Sequence, residues 1–116
     1  MTNVTVSYKH NRLVSIEASG HADFADHGED IVCAAISVLM QTAVNSLETV
    51  AGLQFVIVES DETSGYMYIE LPADLEEAKS VKADIVLNTV LTGLQGIAKA
   101  YPKYMRLLKK GGANIQ

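Results

Sequence analysis

Twice along this chain a two-residue apolar period gives way to a helical one, and few folds accommodate that pattern. Residues Asn3 to Tyr8 alternate Val4, Val6 and Tyr8 with Thr5 and Ser7, and Leu13 to Ala18 set Val14, Ile16 and Ala18 against Ser15 and Glu17. Period two on both sides of the polar stretch Lys9-His10-Asn11-Arg12 predicts a β-hairpin. From Asp30 onward the apolar spacing changes to three and four, through Val32, Ile36, Leu39, Ala43, Leu47 and Val50. That is one face of a helix, with Asp30 as N-cap and Gly52 as the residue that stops it. Phe55 to Val58 is a short apolar run with β-branched residues, and alternation returns in Gly65 to Leu71; joined by the acidic turn Glu59 to Ser64, they predict a second hairpin. Pro72 and Asp74 then introduce a second helix, whose first-turn acids Glu76 and Glu77 complement its dipole. Its stripe is Val86, Val90, Gly93 or Leu94, Ile97 and Tyr101, and Pro102 marks a break after it. Gly93 and Gly96 lower helix propensity, so they are expected to mark close backbone packing.

The resulting order, ββαββα, predicts an α+β fold in which two helices cover one face of an antiparallel sheet. At 116 residues the chain is long enough for one domain with a real core, over residues 1–116, and too short for two. No linker, repeat or low-complexity segment divides it. Apolar residues at 48% and charged residues at 20% exclude a disordered chain. Nine basic residues against fourteen acidic ones give a net charge of −5. Direct nucleic-acid binding is disfavoured as the main task, since it needs clustered positive charge, whereas a basic protein partner is favoured by long-range steering. The single cysteine, Cys33, cannot form an intramolecular disulfide, and Met1-Thr2-Asn3-Val4 lacks the basic and apolar parts of a signal peptide. A reducing cytoplasm is the expected setting. The apolar run Ile31 to Met40 is half the roughly 20 residues that span a bilayer, so no membrane segment is expected.

Chemistry concentrates between the first hairpin and the first helix. With Asp30 as cap, Cys33 is the third helical residue, where unsatisfied backbone N–H groups and the helix dipole stabilise a thiolate. The ordinary role of a lone cysteine, a small buried hydrophobe, gains nothing from that position. His21 lies twelve residues earlier in a polar loop bounded by Gly20 and Gly28, and a loop of that kind can fold back over the helix start to bring an imidazole to the sulfur. Glu29 and Asp30 add negative charge that opposes a thiolate unless they cap the helix or orient His21. His27 competes with His21 as base.

The stretch Gly20-His21-Ala22, followed by Gly28-Glu29-Asp30-Ile31-Val32-Cys33-Ala34-Ala35-Ile36-Ser37, resembles the two-part signature of the ribosomal-processing cysteine proteases called Prp. Those proteins carry Gly-His-Ala and then Gly-x-Asp-Ile-Val-Cys-Ala-x-x-Ser. The resemblance implies a cysteine endopeptidase with Cys33 as nucleophile and His21 as base and later acid, needing no cofactor and no metal. It implies removal of a short N-terminal extension from large-subunit ribosomal protein twenty-seven in bacteria of the Firmicutes type, and a homodimer. Gly20, Asp30, Ala34 and Ser37 take supporting roles. Backbone N–H groups at Cys33 and Ala34 are candidate oxyanion donors, although plain helix packing suits the alanines equally. Asp30 caps the helix or orients His21, Ser37 faces the cleft or bonds its own helix, and Gly20 and Gly28 let the loop turn. Phe24, Met40, Tyr66 and Tyr68 suit an apolar substrate motif and suit a core equally well.

Two other readings stay open from residue types. His21, Asp23, Asp26 and His27, with Cys33 as a fifth, are all zinc-type ligands, but they lie on one loop without paired ligand spacing. A non-catalytic ribosome-associated module would use Lys99, Lys103, Arg106, Lys109 and Lys110 on RNA phosphates, where the simpler role is to complement a helix C-terminus.

Overall fold

The computed structural model describes residues 1–20 and 27–111. Strands β1 (Thr2–Lys9) and β2 (Arg12–Ser19) form the first hairpin, closed by a two-residue turn at His10 and Asn11 with φ of 53° and 67°. Positive φ at both central residues gives the twist that matches paired strands, and Asn tolerates it well. A register shift at Ser7/Tyr8 lets Leu13 and Ile16, three residues apart, both reach the core. Strands β3 (Ile57–Asp61) and β4 (Tyr66–Glu70) form the second hairpin, its turn pinned by the Asp61 carboxylate, which accepts the Thr63 N–H at 3.0 Å and the Thr63 hydroxyl at 2.6 Å.

Helices α1 (His27–Thr49) and α2 (Glu77–Ala100) bring Val32, Ile36, Met40, Ala43 and Leu47, and Ala83, Val86, Leu87, Val90, Leu91 and Leu94, into one core with Val4, Val6, Ile16 and Ile69 of the sheet. By length and composition α1 is apolar enough to cross a bilayer, yet its buried stripe packs as a core helix does. Of the expected stripe, Leu39 is half-buried and Val50, past the helix end, is 63% exposed. Gly52, at φ 75°, takes the left-handed conformation expected of a helix stop. Gly93 does mark close packing, since a Cβ there would stand 3.0 Å from Leu39 Cδ1 of α1, whereas nothing lies within 4 Å of one at Gly96.

The ββαββα order holds, and the structure adds a fifth strand, β5 (Met105–Gly111), giving the sheet order β3-β4-β2-β1-β5. Because β5 runs parallel to β1, with Thr2 opposite Met105, the sheet is mixed. Arg106, Lys109 and Lys110 therefore belong to an edge strand, where charge discourages further pairing, and not to a helix C-terminus.

Candidate active site

The first helix begins three residues earlier than capping preference implies, at His27 instead of Asp30. Gly28, a poor helix former, is admitted because no side chain fits there: a Cβ would stand 2.6 Å from the Tyr104 ring. Gly28 is thus a helical packing residue, and the expected role as a turning point of the loop stays with Gly20. At φ 108° Gly20 ends β2 against the Met1 carbonyl, with the Thr2 backbone beside it. Asp30 is an exposed first-turn acid that complements the dipole and does not act as N-cap.

The earlier start moves Cys33 into the second turn. Its backbone N–H and that of Ala34 fall within the helical ladder, directed at the carbonyls of Glu29 and Asp30, so neither is free to serve as an oxyanion donor. The thiol is half-buried at the border of the apolar stripe, where its place between Val32 and Ile36 puts it. It opens on a cavity of about 440 Å³ between α1 and the β3–β4 hairpin. Thr2, Cys33, Ala34, Ser37 and Met40 line one side, and Val58, Asp61, Glu62, Tyr66 and Met67 the other. Of the residues expected at the cleft, Ala34, Ser37, Met40 and Tyr66 are there and Tyr68 is not. His21 and Phe24 lie outside the described residues, as do Asp23 and Asp26 of the metal reading.

Thr2, which carries no sequence signal, and Glu29, one of the two acids expected at the helix start, complete the corner. Thr2 and Glu29 are each only 4% exposed. The Thr2 hydroxyl lies 3.4 Å from Cys33 Sγ and donates to Glu29 Oε1 at 3.5 Å, while the same carboxylate oxygen is 2.8 Å from the Met1 amino nitrogen. Residues 27 and 31 positions from Thr2 meet there because β1 starts beside the first turns of α1. Such a meeting is a tertiary fact and leaves no local pattern in the chain.

The opposite rim is acidic. Hydrogen bonds from Thr63, side chain first and then backbone, hold the Asp61 carboxyl below the usual carboxylate range, so it is ionised at neutral pH. The Tyr66 phenol donates to Glu17 Oε2 at 2.9 Å, and that hydrogen bond raises it above the ordinary tyrosine range.

Residues 1–106 match the family model described as cysteine protease Prp. The ribosomal processing cysteine protease Prp of Bacillus subtilis is 32% identical over 92% of this chain and 96% of its own length. Its Mycoplasma pneumoniae counterpart is 34% identical over 90% and 91%. A crystal structure from Streptococcus mutans superposes with a TM-score of 0.84 at 31% identity, covering 96% of each chain. The Staphylococcus aureus protease Prp, solved with a substrate peptide, superposes with a TM-score of 0.79 at 25% identity, over 95% of this chain and all of that one. The same enzyme with a covalently linked product peptide gives 0.76 at 26% identity and the same coverage. A half-buried thiol facing a cleft, in a chain matched almost end to end, makes this protein a cysteine protease and a member of the Prp family.

Proposed function

We propose that the protein removes an N-terminal extension from ribosomal protein twenty-seven of the large subunit, by a Cys33–His21 dyad. The observation that carries this reading is the placing of Cys33, within the matched signature, at the mouth of the cavity. Gly20 of the Gly-His-Ala triplet lies against Met1 and Thr2, and Thr2 touches Cys33, so the described end of β2 reaches the same corner. The next residue in sequence is His21. The covalently linked product peptide in the Staphylococcus aureus enzyme suits acyl transfer through a cysteine.

In this mechanism the Cys33 sulfur attacks the scissile carbonyl to form a tetrahedral adduct, and its proton passes to His21. Histidine returns that proton to the departing amine as the C–N bond breaks, leaving a thioester. Water, deprotonated by His21, then releases the new C-terminus and restores the thiol. The ionised Asp61 and neighbouring Glu62 on the far rim, with the net charge of −5, favour a basic substrate, as ribosomal proteins are. Met40, Val58 and Met67 offer apolar surface for the segment around the cut. The reading includes a cytoplasmic homodimer, which sedimentation of the purified protein tests.

The decisive experiment incubates the protein with the extended ribosomal protein of the same organism and reads the new N-terminus by mass spectrometry. Cys33→Ala and His21→Ala are each expected to lower the cleavage rate by at least about 1,000-fold with the fold retained. An undiminished rate in Cys33→Ala refutes the nucleophile.

A further inference from the structure

We propose that Thr2 is a positioning residue for the Cys33 nucleophile, its hydroxyl holding the sulfur in the rotamer that faces the cavity. This rests on the reading of Cys33 as nucleophile. A cysteine side chain has three staggered χ1 wells, and in a half-buried site the one with a hydrogen-bond partner is favoured. The Thr2 hydroxyl, 3.4 Å from Sγ, supplies that partner, and both residues line the same cavity.

Thr2 is itself firmly held. Its N–H donates to the Tyr104 carbonyl at 2.8 Å, it stands opposite Met105 in the parallel β1–β5 pairing, and its β-branched side chain is stiff at χ1. Tyr104 in turn is packed on Gly28 of α1, so strand, edge strand and helix meet at this one side chain. Because the hydroxyl has a single proton and two acceptor sites, its bonding changes with the state of the sulfur. Beside a thiol, S–H donates to Oγ1 while the hydroxyl donates to Glu29 Oε1, 3.5 Å away. Beside a thiolate only the hydroxyl can donate, and it turns to the sulfur. Glu29 keeps its contact with the Met1 amino group at 2.8 Å when the hydroxyl leaves it. The sulfur is thus held in one direction before and after it loses its proton.

The test compares Thr2→Val, which keeps shape and strand preference but removes the hydroxyl, with Thr2→Ser, which keeps the hydroxyl. Two rates are measured on each: cleavage of the extended ribosomal protein, separated into kcat and KM, and alkylation of Cys33 by iodoacetamide followed by mass. Thr2→Val is expected to lower kcat and the alkylation rate each by about tenfold, with KM within about twofold of the parent, and Thr2→Ser to restore both. Thr2→Ala makes the same comparison if valine disturbs the β1–β5 pairing. The proposal is overturned if the hydroxyl-free variants react at the parent rate or if serine fails to rescue them. It is overturned equally if kcat falls while alkylation does not, because the hydroxyl then acts on the substrate and not on the sulfur. Cleavage by Cys33→Ala in the same series refutes the nucleophile reading itself, and this proposal with it.

Discussion

Two of the cavities among the described residues lie at different places on the fold, and in the proposed function the smaller of the two holds the reacting thiol. The larger, about 600 Å³, sits where the β1–β2 turn meets the start of α2 and is lined by Lys9, His10, Arg12, Asp74, Glu77 and Ser80 among others. Arg12 and Glu77 answer one another: Arg12 donates to both Glu77 carboxylate oxygens, at 3.0 and 3.2 Å, and to the Ser80 hydroxyl at 3.0 Å. The smaller, about 440 Å³, has fewer ionic side chains, but the buried Thr2 converges on the Cys33 sulfur at its edge, the proposed nucleophile, with the buried Glu29 behind it. Exposed charges paired with each other, as Arg12 and Glu77 are, are screened by water. Polar groups removed from water keep their directionality and strength, which is what a reacting thiol needs. The proposed function therefore ranks the two cavities in the reverse of their volumes.

The comparison predicts its own largest contrast. Cys33→Ala should abolish cleavage, whereas Arg12→Ala, which dismantles the polar cluster of the larger cavity, should leave kcat/KM within about twofold of the parent. A large loss on Arg12→Ala, measured on the same extended ribosomal protein, would falsify the division of labour between the two cavities.

Next in size is an effect on stability. Met40 belongs to the core, at 1% exposure, and also lines the cavity beside Cys33, so wall and core are one structure there. Met40→Ala should cost about 2–5 kcal/mol in denaturant unfolding, the range for deleting a buried side chain of that size. A cost below about 1 kcal/mol would mean that the cavity relaxes independently of the core.

What the chain discloses by itself follows the same division. Both hairpins and both helices follow from period and spacing, because those signals lie within a turn or two of the residues they govern. Of the two roles open to Ser37 the structure gives the cavity-lining one. Cys33 and the Gly-His-Ala triplet are legible as a motif. Strand β5 is not, since only Met105 and Leu107 turn inward and its Arg and Lys residues read as solvated charge. The helix start was displaced by a contact 76 residues away, Tyr104 on Gly28, which no capping preference registers. The pairing of Thr2 with Cys33 is likewise set by the sheet and helix together, so position 2 reads in isolation as an ordinary strand residue.

Glycines sharpen the contrast between a helix end built into the site and a helix surface away from it. Gly28→Ala places a methyl within 2.6 Å of the Tyr104 ring, forcing that ring aside and with it the segment whose carbonyl holds the Thr2 N–H. Overpacking of about 1–3 kcal/mol exceeds the helix-propensity gain of about 1 kcal/mol, so net destabilisation and slower cleavage are expected. Gly96→Ala meets nothing within 4 Å and should stabilise the protein by about 0.4–1 kcal/mol without touching activity. Thermal unfolding of the two variants side by side decides this, and equal shifts in the same direction would remove the assigned reason for glycine at 28.

The smallest expected effect belongs to the larger cavity and depends on pH. The hydrogen bond from Arg12, and then its positive charge, hold the Glu77 carboxyl below the ordinary range, and Glu77 in turn raises the Arg12 guanidinium. A carboxyl whose pKa is lower when folded contributes stability that is fully present above its unfolded pKa and is lost as pH falls through the folded one. Glu77→Gln removes that contribution, so the parent should melt slightly above the variant at neutral pH, and the gap should close in acid, where both side chains are uncharged. With the Glu77 side chain 77% exposed, water and salt screen the pair, so added salt should narrow the neutral-pH gap as well. A gap that widens on acidification contradicts the pairing, because only a group whose pKa is raised by folding gains stability in that direction. Cleavage at neutral pH should be indifferent to the substitution throughout, since Glu77 and Arg12 line the larger cavity and not the one that holds Cys33.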